Sequence, residues 1–186
     1  MLMLVHCCRS VLKDPRRGLC STWLSCLPPG HPVPVWVRRG ALTFPPSPTP
    51  VVMVGPGTGV APFRSYCLEN TANTRILFFG SRNREADFYF RDEWGAAGVT
   101  VVTAFSRDQE EKVYVQQRMA ERKELLVQAV LEQGGSFYVA GNSKAMPGAV
   151  REALVAALAS RLGEEQGELY VQGMEREGRY QTETWA

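Results

Sequence analysis

The chain has 186 residues, of which 45% are hydrophobic, 10% aromatic and 22% charged. This composition is typical of a globular protein and excludes a disordered chain, a collagen or a coiled coil. Lys and Arg (21) nearly balance Asp and Glu (19), and the formal charge of +2 is too small to indicate nucleic-acid binding.

The five cysteines form no recognisable framework. They contain no Cys-x-x-Cys pair, and their odd number fits neither a set of disulfides nor a zinc module. Reduced thiols in a cytoplasmic protein without a metal site are therefore expected. The N-terminal letters MLMLVHCCR have no basic residue ahead of the apolar run, so no signal peptide is predicted. No stretch approaches the roughly 20 apolar residues that cross a bilayer.

Prolines divide the chain into two parts. Eight of the twelve prolines lie between Pro28 and Pro50. This density is typical of a linker with one short extended piece, placed at Val33–Val37, rather than of a helix. We therefore expect a small or incomplete module over residues 1–44 and a compact domain over residues 45–186.

The second part alternates between strand-like and helix-like segments. Strands are predicted at Val51–Val54, Arg75–Gly80, Val99–Phe105, Ser136–Ala140 and Arg179–Thr182. Helices are predicted at Val60–Glu69, Asp87–Ala97, Val115–Gln133, Met146–Leu162 and Glu165–Glu177. This alternation is typical of βαβ units, so the predicted fold class is α/β with a doubly wound parallel sheet. Ligands of such sheets bind at the carboxyl ends of the strands.

A glycine-rich turn, Gly55–Gly59, directly follows the first of these strands. Glycines let the backbone approach an anion closely, and the helix that follows offers free N–H groups, so a pyrophosphate fits there. The spacing G-x-G-x-G differs, however, from the G-x-G-x-x-G of the dinucleotide fingerprint. No acidic residue stands at the end of the second strand, and the loop that follows reads SRNR, which argues against a standard NAD site. A purely structural turn is the alternative.

Polar side chains gather in the loop after the third strand. They are Ser106, Arg107, Lys112, Tyr114 and Gln116. A hydroxyl, a guanidinium, an ammonium and a phenol together suit a phosphate and an adenine ring, and they would favour NADPH over NADH because the 2′-phosphate needs cations. A solvated charge run is the alternative, since three acidic residues lie among them: Asp108, Glu110 and Glu111.

Two later segments complete the set of candidate loops. Gly141–Pro147 follows the fourth strand as a turn into a helix, which by itself carries no specific signal. The chain ends with Trp185 and Ala186, although tails are usually polar and disordered. Docking onto a flat group and an apolar surface plug are the two interpretations of this tryptophan.

Together these segments resemble the NADPH-binding half of ferredoxin–NADP reductase-like enzymes, and specifically the diflavin reductases. The resemblance rests on Gly55–Phe63, Phe78–Arg82, Ser106-Arg107 with Lys112–Gln116, Gly141–Met146, Gln181–Ala186 and Pro15–Ser21. The order and spacing of these segments are highly specific, and they extend over nearly the whole chain. The resemblance implies an NADP-binding domain of the ferredoxin–NADP reductase type, preceded by a remnant of an antiparallel FAD-binding barrel.

In that family NADPH delivers hydride to FAD, and electrons then pass singly through FMN to an acceptor. The resemblance implies that the pyrophosphate and nicotinamide end of NADP(H) lies against Gly55, Gly57, Thr58 and Gly59. It places the 2′-phosphate on Ser106, Arg107 and Lys112, and the adenine on Tyr114 with help from Gln116. Asn142, which replaces a frequent aspartate, also belongs to this cofactor-binding set.

The resemblance further implies a flavin-binding set. Trp185 would cover the flavin ring and move aside for nicotinamide, and Glu183 would help to position hydride transfer in place of the commoner aspartate. The backbone amides of Gly18, Leu19, Cys20 and Ser21, which open a short helix predicted at Thr22–Cys26, would meet the FAD pyrophosphate.

The sequence departs from the family in several places. Ala140 stands where many relatives have a cysteine beside the nicotinamide. The flavodoxin-like FMN domain and the Arg-x-Tyr-Ser flavin motif are missing, so we expect a C-terminal fragment or a truncated gene product. Two functions stay open. One is the NADPH half of a reductase, whose full-length relatives serve the cytosolic iron–sulfur assembly factor anamorsin; the other is a non-catalytic NADP(H)-binding module.

Overall fold

The computed structural model describes residues 7–8, 16–69 and 72–185 and divides the chain into two units, Met1–Gly40 and Ala41–Ala186. Pro15 and Ala186, which belong to segments that carry the resemblance, lie outside the described residues. The assignment of residues 1–44 to an FAD-binding domain and of residues 45–186 to an NADPH-binding domain stays a prediction.

The first unit contains two short strands and one helix in its described part. Strand β1 (Cys7–Cys8) pairs antiparallel with β2 (Arg16–Arg17), and helix α1 spans Leu19–Ser25. The helix begins earlier than predicted because the carbonyl of Gly18 already accepts a hydrogen bond from the N–H of Thr22, at 3.0 Å. The predicted barrel remnant stays a prediction.

The second unit is built on a parallel sheet of five strands. They are β3 (Val51–Val54), β4 (Arg75–Ser81), β5 (Thr100–Phe105), β6 (Ser136–Asn142) and β7 (Tyr180–Trp185). Their order is β5-β4-β3-β6-β7, and all four neighbouring pairs are parallel. After β3 the chain adds β4 and β5 on one side of that strand, and then β6 and β7 on its other side. The crevice between β3 and β6 is therefore the switch point where such sheets bind ligands. The predicted α/β class is confirmed.

Helices connect these strands. They are α2 (Val60–Glu69), α3 (Arg84–Asp87), α4 (Arg91–Ala96), α5 (Val115–Glu121), α6 (Lys123–Leu126), α7 (Met146–Leu162) and α8 (Glu164–Arg176). A 3-10 turn at Gly57–Gly59 leads into α2, and a π-helical turn at Val127–Glu132 follows α6. Helices α2 and α7 have the predicted bounds.

Three predicted elements of this unit differ from the structure by a break or by a change of three residues at one end, and the others differ by at most two residues at an end. The helix predicted at Asp87–Ala97 is interrupted at Phe90, whose φ of 60° is left-handed. The helix predicted at Val115–Gln133 breaks at Arg122, where φ is −110° and ψ is 31°. The last strand continues beyond its predicted end, because its parallel pairing with β6 extends as far as Trp185.

The central strands β3, β4 and β6 are buried on both faces of the sheet. On one face, Val52, Phe78 and Val139 belong to a cluster of apolar side chains that includes residues of helices α5 to α8. On the other face, Phe44 stacks on Tyr66 of α2, with 4.1 Å between ring centroids. Strands enclosed in this way are continuous apolar runs, which is why the sequence predicts them well.

No helix in the described ranges is long and apolar enough to span a membrane. Within the same ranges, no group of three or more His, Cys, Asp or Glu side chains is arranged to hold a metal ion.

The burial of Cys67 leads to a prediction about thiol reactivity. Its Sγ lies 3.9 Å from Sδ of Met53, and burial raises the pKa of the thiol to about 11. We therefore expect Cys67 to resist iodoacetamide in the native protein, whereas the exposed thiols of Cys20 and Cys26 are alkylated. Peptide mass spectrometry, with and without denaturant, measures the difference. Native labelling of Cys67 as fast as that of Cys20 would contradict this packing.

Candidate functional site

The predicted nucleotide-binding residues all follow strands of the parallel sheet or lie at the end of β7. Because the carboxyl ends of parallel strands share one edge, the turn after β3 and the loops after β4, β5 and β6 all emerge there. The flavin-binding residues predicted near Gly18 belong to the other unit.

The turn after β3 packs tightly against β6 through Gly59. A Cβ on Gly59 would collide with the carbonyl oxygen of Ala140 and would also crowd Gly141. Gly55 is buried at the end of β3, where its N–H donates to the carbonyl of Phe78 at 3.0 Å. These two glycines are therefore explained by packing at the switch point.

Gly57 has the opposite environment. Its φ is +58°, and a Cβ placed on it would have no neighbouring atom within 4 Å. Thr58 beside it is half-buried. Among the described residues, the N–H groups of Gly57 and Thr58 have no acceptor. This part of the turn offers the free backbone donors that a pyrophosphate requires.

Backbone hydrogen bonds hold the loop after β5 against the loop after β4. The N–H of Ser106 donates to the carbonyl of Ser81 at 3.0 Å, and the N–H of Arg107 donates to the carbonyl of Arg82 at 2.9 Å. The parallel ladder therefore continues beyond the ends of both strands. Two of the predicted phosphate ligands, Ser106 and Arg107, lie on this extension.

The cations of this loop are available to a ligand. Arg107 and Lys112 are exposed, and neither forms an ion pair within the described ranges. Ser81, which the sequence motifs contain but which was not predicted as a ligand, has a buried Oγ with no hydrogen-bond partner among the described residues. An unpartnered hydroxyl beside Ser106 fits a phosphate oxygen.

Tyr114 lies where this loop enters α5. Its N–H donates to Oε1 of Gln117 at 2.6 Å, which fixes the start of the helix. The residue is 46% exposed, so its ring is accessible to a planar group. Gln116, predicted to assist, is half-buried.

The ends of β6 and β7 are joined beyond the strands. The N–H of Ser143 donates to the carbonyl of Trp185 at 2.8 Å, and Oδ1 of Asn142 accepts a hydrogen bond from the N–H of Lys144 at 2.9 Å. The backbone of Trp185 is thereby fixed, while its side chain stays 41% exposed. Glu183 lies opposite Ala140 and shares a face of the sheet with Trp185, because the two residues are two positions apart.

Sequence reasoning missed the contact that anchors the other end of β7. Nε2 of Gln181 donates to the carbonyl of Thr43 at 2.9 Å, and Oε1 of Gln181 accepts a hydrogen bond from the N–H of Thr43 at 2.8 Å. The hydroxyl of Tyr138 also donates to the carbonyl of Thr43, and burial raises the pKa of Tyr138 to about 12. No local pattern in the sequence signals these long-range bonds.

The predicted FAD-binding residues form the start of α1 in the first unit. Leu19 and Cys20 are exposed, and the hydroxyl of Ser21 donates to the carbonyl of Gly18 at 3.2 Å. Oγ1 of Thr22 is buried and has no partner among the described residues. Free amides and an unpartnered hydroxyl fit an anionic group.

Comparison with known families agrees with this geometry. The profile of the oxidoreductase NAD-binding domain matches residues 53–175, so the chain belongs to that family. Several curated relatives carry the name NADPH-dependent diflavin oxidoreductase 1. The protein of Xenopus laevis is 48% identical over 100% of this chain and 33% of its own length. That of Danio rerio is 47% identical over 96% of this chain and 32% of its own length.

More distant relatives of the same name give a similar match. The protein of Aspergillus fumigatus is 39% identical over 95% of this chain and 32% of its own length. The chain thus spans about a third of the length of the curated relatives it matches. The resemblance to diflavin reductases that the sequence motifs indicate is confirmed.

The packing of Gly59 leads to a prediction about stability. We expect Gly59→Ala to lower the free energy of unfolding by about 2–4 kcal/mol, because the added methyl meets the rigid backbone of β6. Gly173→Ala is the matched control, since Gly173 lies in α8 with open space around it and alanine favours a helix by up to about 1 kcal/mol. Urea denaturation compares the two variants. Equal midpoints would contradict the close approach of Gly59 to β6.

Proposed function

We propose that this chain is the NADPH-binding part of a flavin-dependent oxidoreductase and that it passes hydride from NADPH to FAD. The observation that carries the proposal is the set of groups suited to phosphate along the carboxyl edge of the sheet, where Arg107 and Lys112 are exposed and form no ion pair among the described residues. The names of the relatives support it, because they describe NADPH-dependent enzymes with two flavins.

The 2′-phosphate of NADPH is assigned to the loop after β5. Ser106 and Arg107 are held by the extended ladder, and Arg107 is free to form paired hydrogen bonds with phosphate oxygens. Lys112 adds a second positive charge, and the buried hydroxyl of Ser81 lacks the partner that a phosphate oxygen would supply. NADH lacks the 2′-phosphate and would gain none of the charged hydrogen bonds that Arg107 and Lys112 offer, so this set would favour NADPH.

The remainder of the nucleotide is assigned to the neighbouring elements. The free N–H groups of Gly57 and Thr58 would bind the pyrophosphate at the switch point, where Gly55 and Gly59 allow the turn to lie close to β6. The accessible ring of Tyr114 would stack on the adenine, with Gln116 and Asn142 as supporting polar groups.

FAD, when bound, supplies the acceptor for the hydride and its two electrons. We assign its pyrophosphate to the backbone amides of Gly18–Ser21. The exposed indole of Trp185 is suited to covering an aromatic ring, and Glu183 on the same face of β7 is assigned to positioning the reaction.

Onward electron transfer is proposed on the resemblance alone. In a protein of the relatives' full length, electrons would pass from FAD through FMN to an iron–sulfur assembly factor of the anamorsin type. The cytoplasm is the proposed location of this chemistry.

Specificity for the 2′-phosphate is tested with Arg107→Ala. We expect this variant to bind NADP⁺ about 10- to 100-fold more weakly and NAD⁺ less than about 2-fold more weakly, because only NADP⁺ loses a charged hydrogen bond. The matched control is Arg176→Ala, because Arg176 is an exposed arginine at the end of α8 that is not one of the predicted ligand-binding residues. Calorimetric titration of each variant with both nucleotides measures the change. Equal losses for NADP⁺ and NAD⁺ would contradict the phosphate assignment.

Hydride transfer is tested through the visible absorbance of flavin. The protein is incubated with FAD, desalted, and mixed with NADPH under anaerobic conditions. We expect a retained flavin spectrum that bleaches with NADPH and does so much more slowly with NADH, which serves as the control. If the desalted protein holds no flavin but still binds NADP⁺, the chain is a non-catalytic NADP(H)-binding module and the proposed transfer is wrong.

A further inference from the structure

A carboxylate joins the two loops that surround the proposed 2′-phosphate site. Oδ1 of Asp108 accepts hydrogen bonds from the side-chain amide of Asn83 at 3.2 Å and from the N–H of Arg84 at 3.3 Å. Oδ2 lies 3.1 Å from the same N–H. Asp108 thus ties the loop after β5 to the start of α3.

Asn83 completes this junction, which we name the loop clasp and define as Asn83 and Asp108. The side-chain amide of Asn83 also donates to the carbonyl of Arg107, at 3.4 Å. Since the N–H of Arg107 donates to the carbonyl of Arg82, both the N–H and the carbonyl of Arg107 are held by hydrogen bonds. The guanidinium of Arg107 is left free to face a ligand.

Apart from these hydrogen bonds, the carboxylate of Asp108 has no partner among the described residues. The two loops and the start of α3 carry the cations Arg82, Arg84, Arg107 and Lys112, and Asp108 forms no ion pair with any of them within the described ranges. A carboxylate beside an anion-binding loop repels a phosphate, so its charge by itself opposes binding of NADPH. Its hydrogen bonds to Asn83 and Arg84 act in the opposite direction, because they fix the loop.

We propose that Asp108 is a positioning residue that makes the site selective for a 2′-phosphate, through the loop clasp that holds Arg107 in place. This inference rests on the proposed function. The proposal predicts that removal of the Asp108 carboxylate weakens binding of the phosphate. Charge repulsion alone predicts the opposite, namely that the same change strengthens binding. Arg107 needs a defined geometry, because paired hydrogen bonds to phosphate tolerate little displacement.

The experiment compares Asp108→Ala with Glu110→Ala. Glu110 is an exposed acid of the same loop with no side-chain hydrogen bond among the described residues, so its removal changes the charge equally and leaves the clasp intact. The probes are adenosine 2′,5′-bisphosphate and 5′-AMP, which differ only by the 2′-phosphate. Calorimetric titration gives the ratio of their dissociation constants for each protein.

We expect Asp108→Ala to reduce the preference for the bisphosphate about 10-fold, and Glu110→Ala to leave it unchanged or raise it by less than about 2-fold. Binding of 5′-AMP stays the same in all variants, which separates positioning from general damage to the fold. A preference in Asp108→Ala equal to or above that of Glu110→Ala would overturn the inference.

Two further variants keep the test decisive if Asp108→Ala folds poorly. Asp108→Asn retains one acceptor oxygen without the charge, and we expect it to keep most of the preference. Asn83→Ala removes the clasp from the other side, and we expect a loss similar to that of Asp108→Ala. A full loss in Asp108→Asn, or none in Asn83→Ala, would overturn the clasp.

The failure of the proposed function would look different. If the wild-type protein shows no preference for the bisphosphate, or if Arg107→Ala leaves that preference unchanged, the 2′-phosphate assignment itself is wrong. If Arg107→Ala abolishes the preference while Asp108→Ala preserves it, only the role of the clasp is wrong.

Discussion

The close approach of Gly59 to the carbonyl of Ala140 is the contact on which the candidate site depends. It brings the turn after β3 against β6, so the start of α2 lies at the switch point of the sheet. This side of the turn is occupied by packing, whereas the N–H groups of Gly57 and Thr58 have no acceptor among the described residues. A side chain at position 59 would separate the turn from β6 and change where those donors point. Gly55 and Gly59 therefore allow close packing, whereas Gly57 lies in open space beside the unpartnered donors. The even spacing of the three glycines in the sequence does not distinguish these two roles.

A second constraint acts where β4 and β5 end. Hydrogen bonds from Ser106 and Arg107 continue the ladder into the loops, so groups proposed to bind phosphate lie on backbone that is ordered by the sheet. Binding groups held in advance lose less conformational freedom on binding than groups on a mobile loop. An ordered backbone is therefore what the proposed role of Arg107 requires, because most exposed charges on a surface contribute little.

The sequence predicts most of the fold because its elements are locally encoded. The central strands β3, β4 and β6 are largely apolar and buried, and Pro62 and Pro147 mark the beginnings of α2 and α7. The break at Phe90 is not encoded locally. There a left-handed backbone is accompanied by tertiary contacts, with the guanidinium of Arg64 at 4.3 Å from the ring centroid and Trp94 packed edge-on. The length of β7 likewise depends on pairing with β6, which no window of the sequence contains.

The residues of the candidate site can be predicted from the sequence to a similar extent, because residue type, like an apolar run, is a local feature. Residue types identify groups that suit a phosphate or an aromatic ring, as Arg107 and Tyr114 do, and the structure leaves both accessible. The residue type of Asp108 indicates no more than a member of a solvated charge run, which is the alternative to a phosphate site in this loop. Its partner Asn83 lies 25 residues earlier, and only the parallel pairing of β4 with β5 brings the two together. A chain with the same phosphate-binding letters but without this pair would keep the cations and lose the contacts that hold them. Residue types therefore indicate which ligand chemistry to expect, whereas contacts between loops, which no local window of the sequence contains, are visible only in the folded structure.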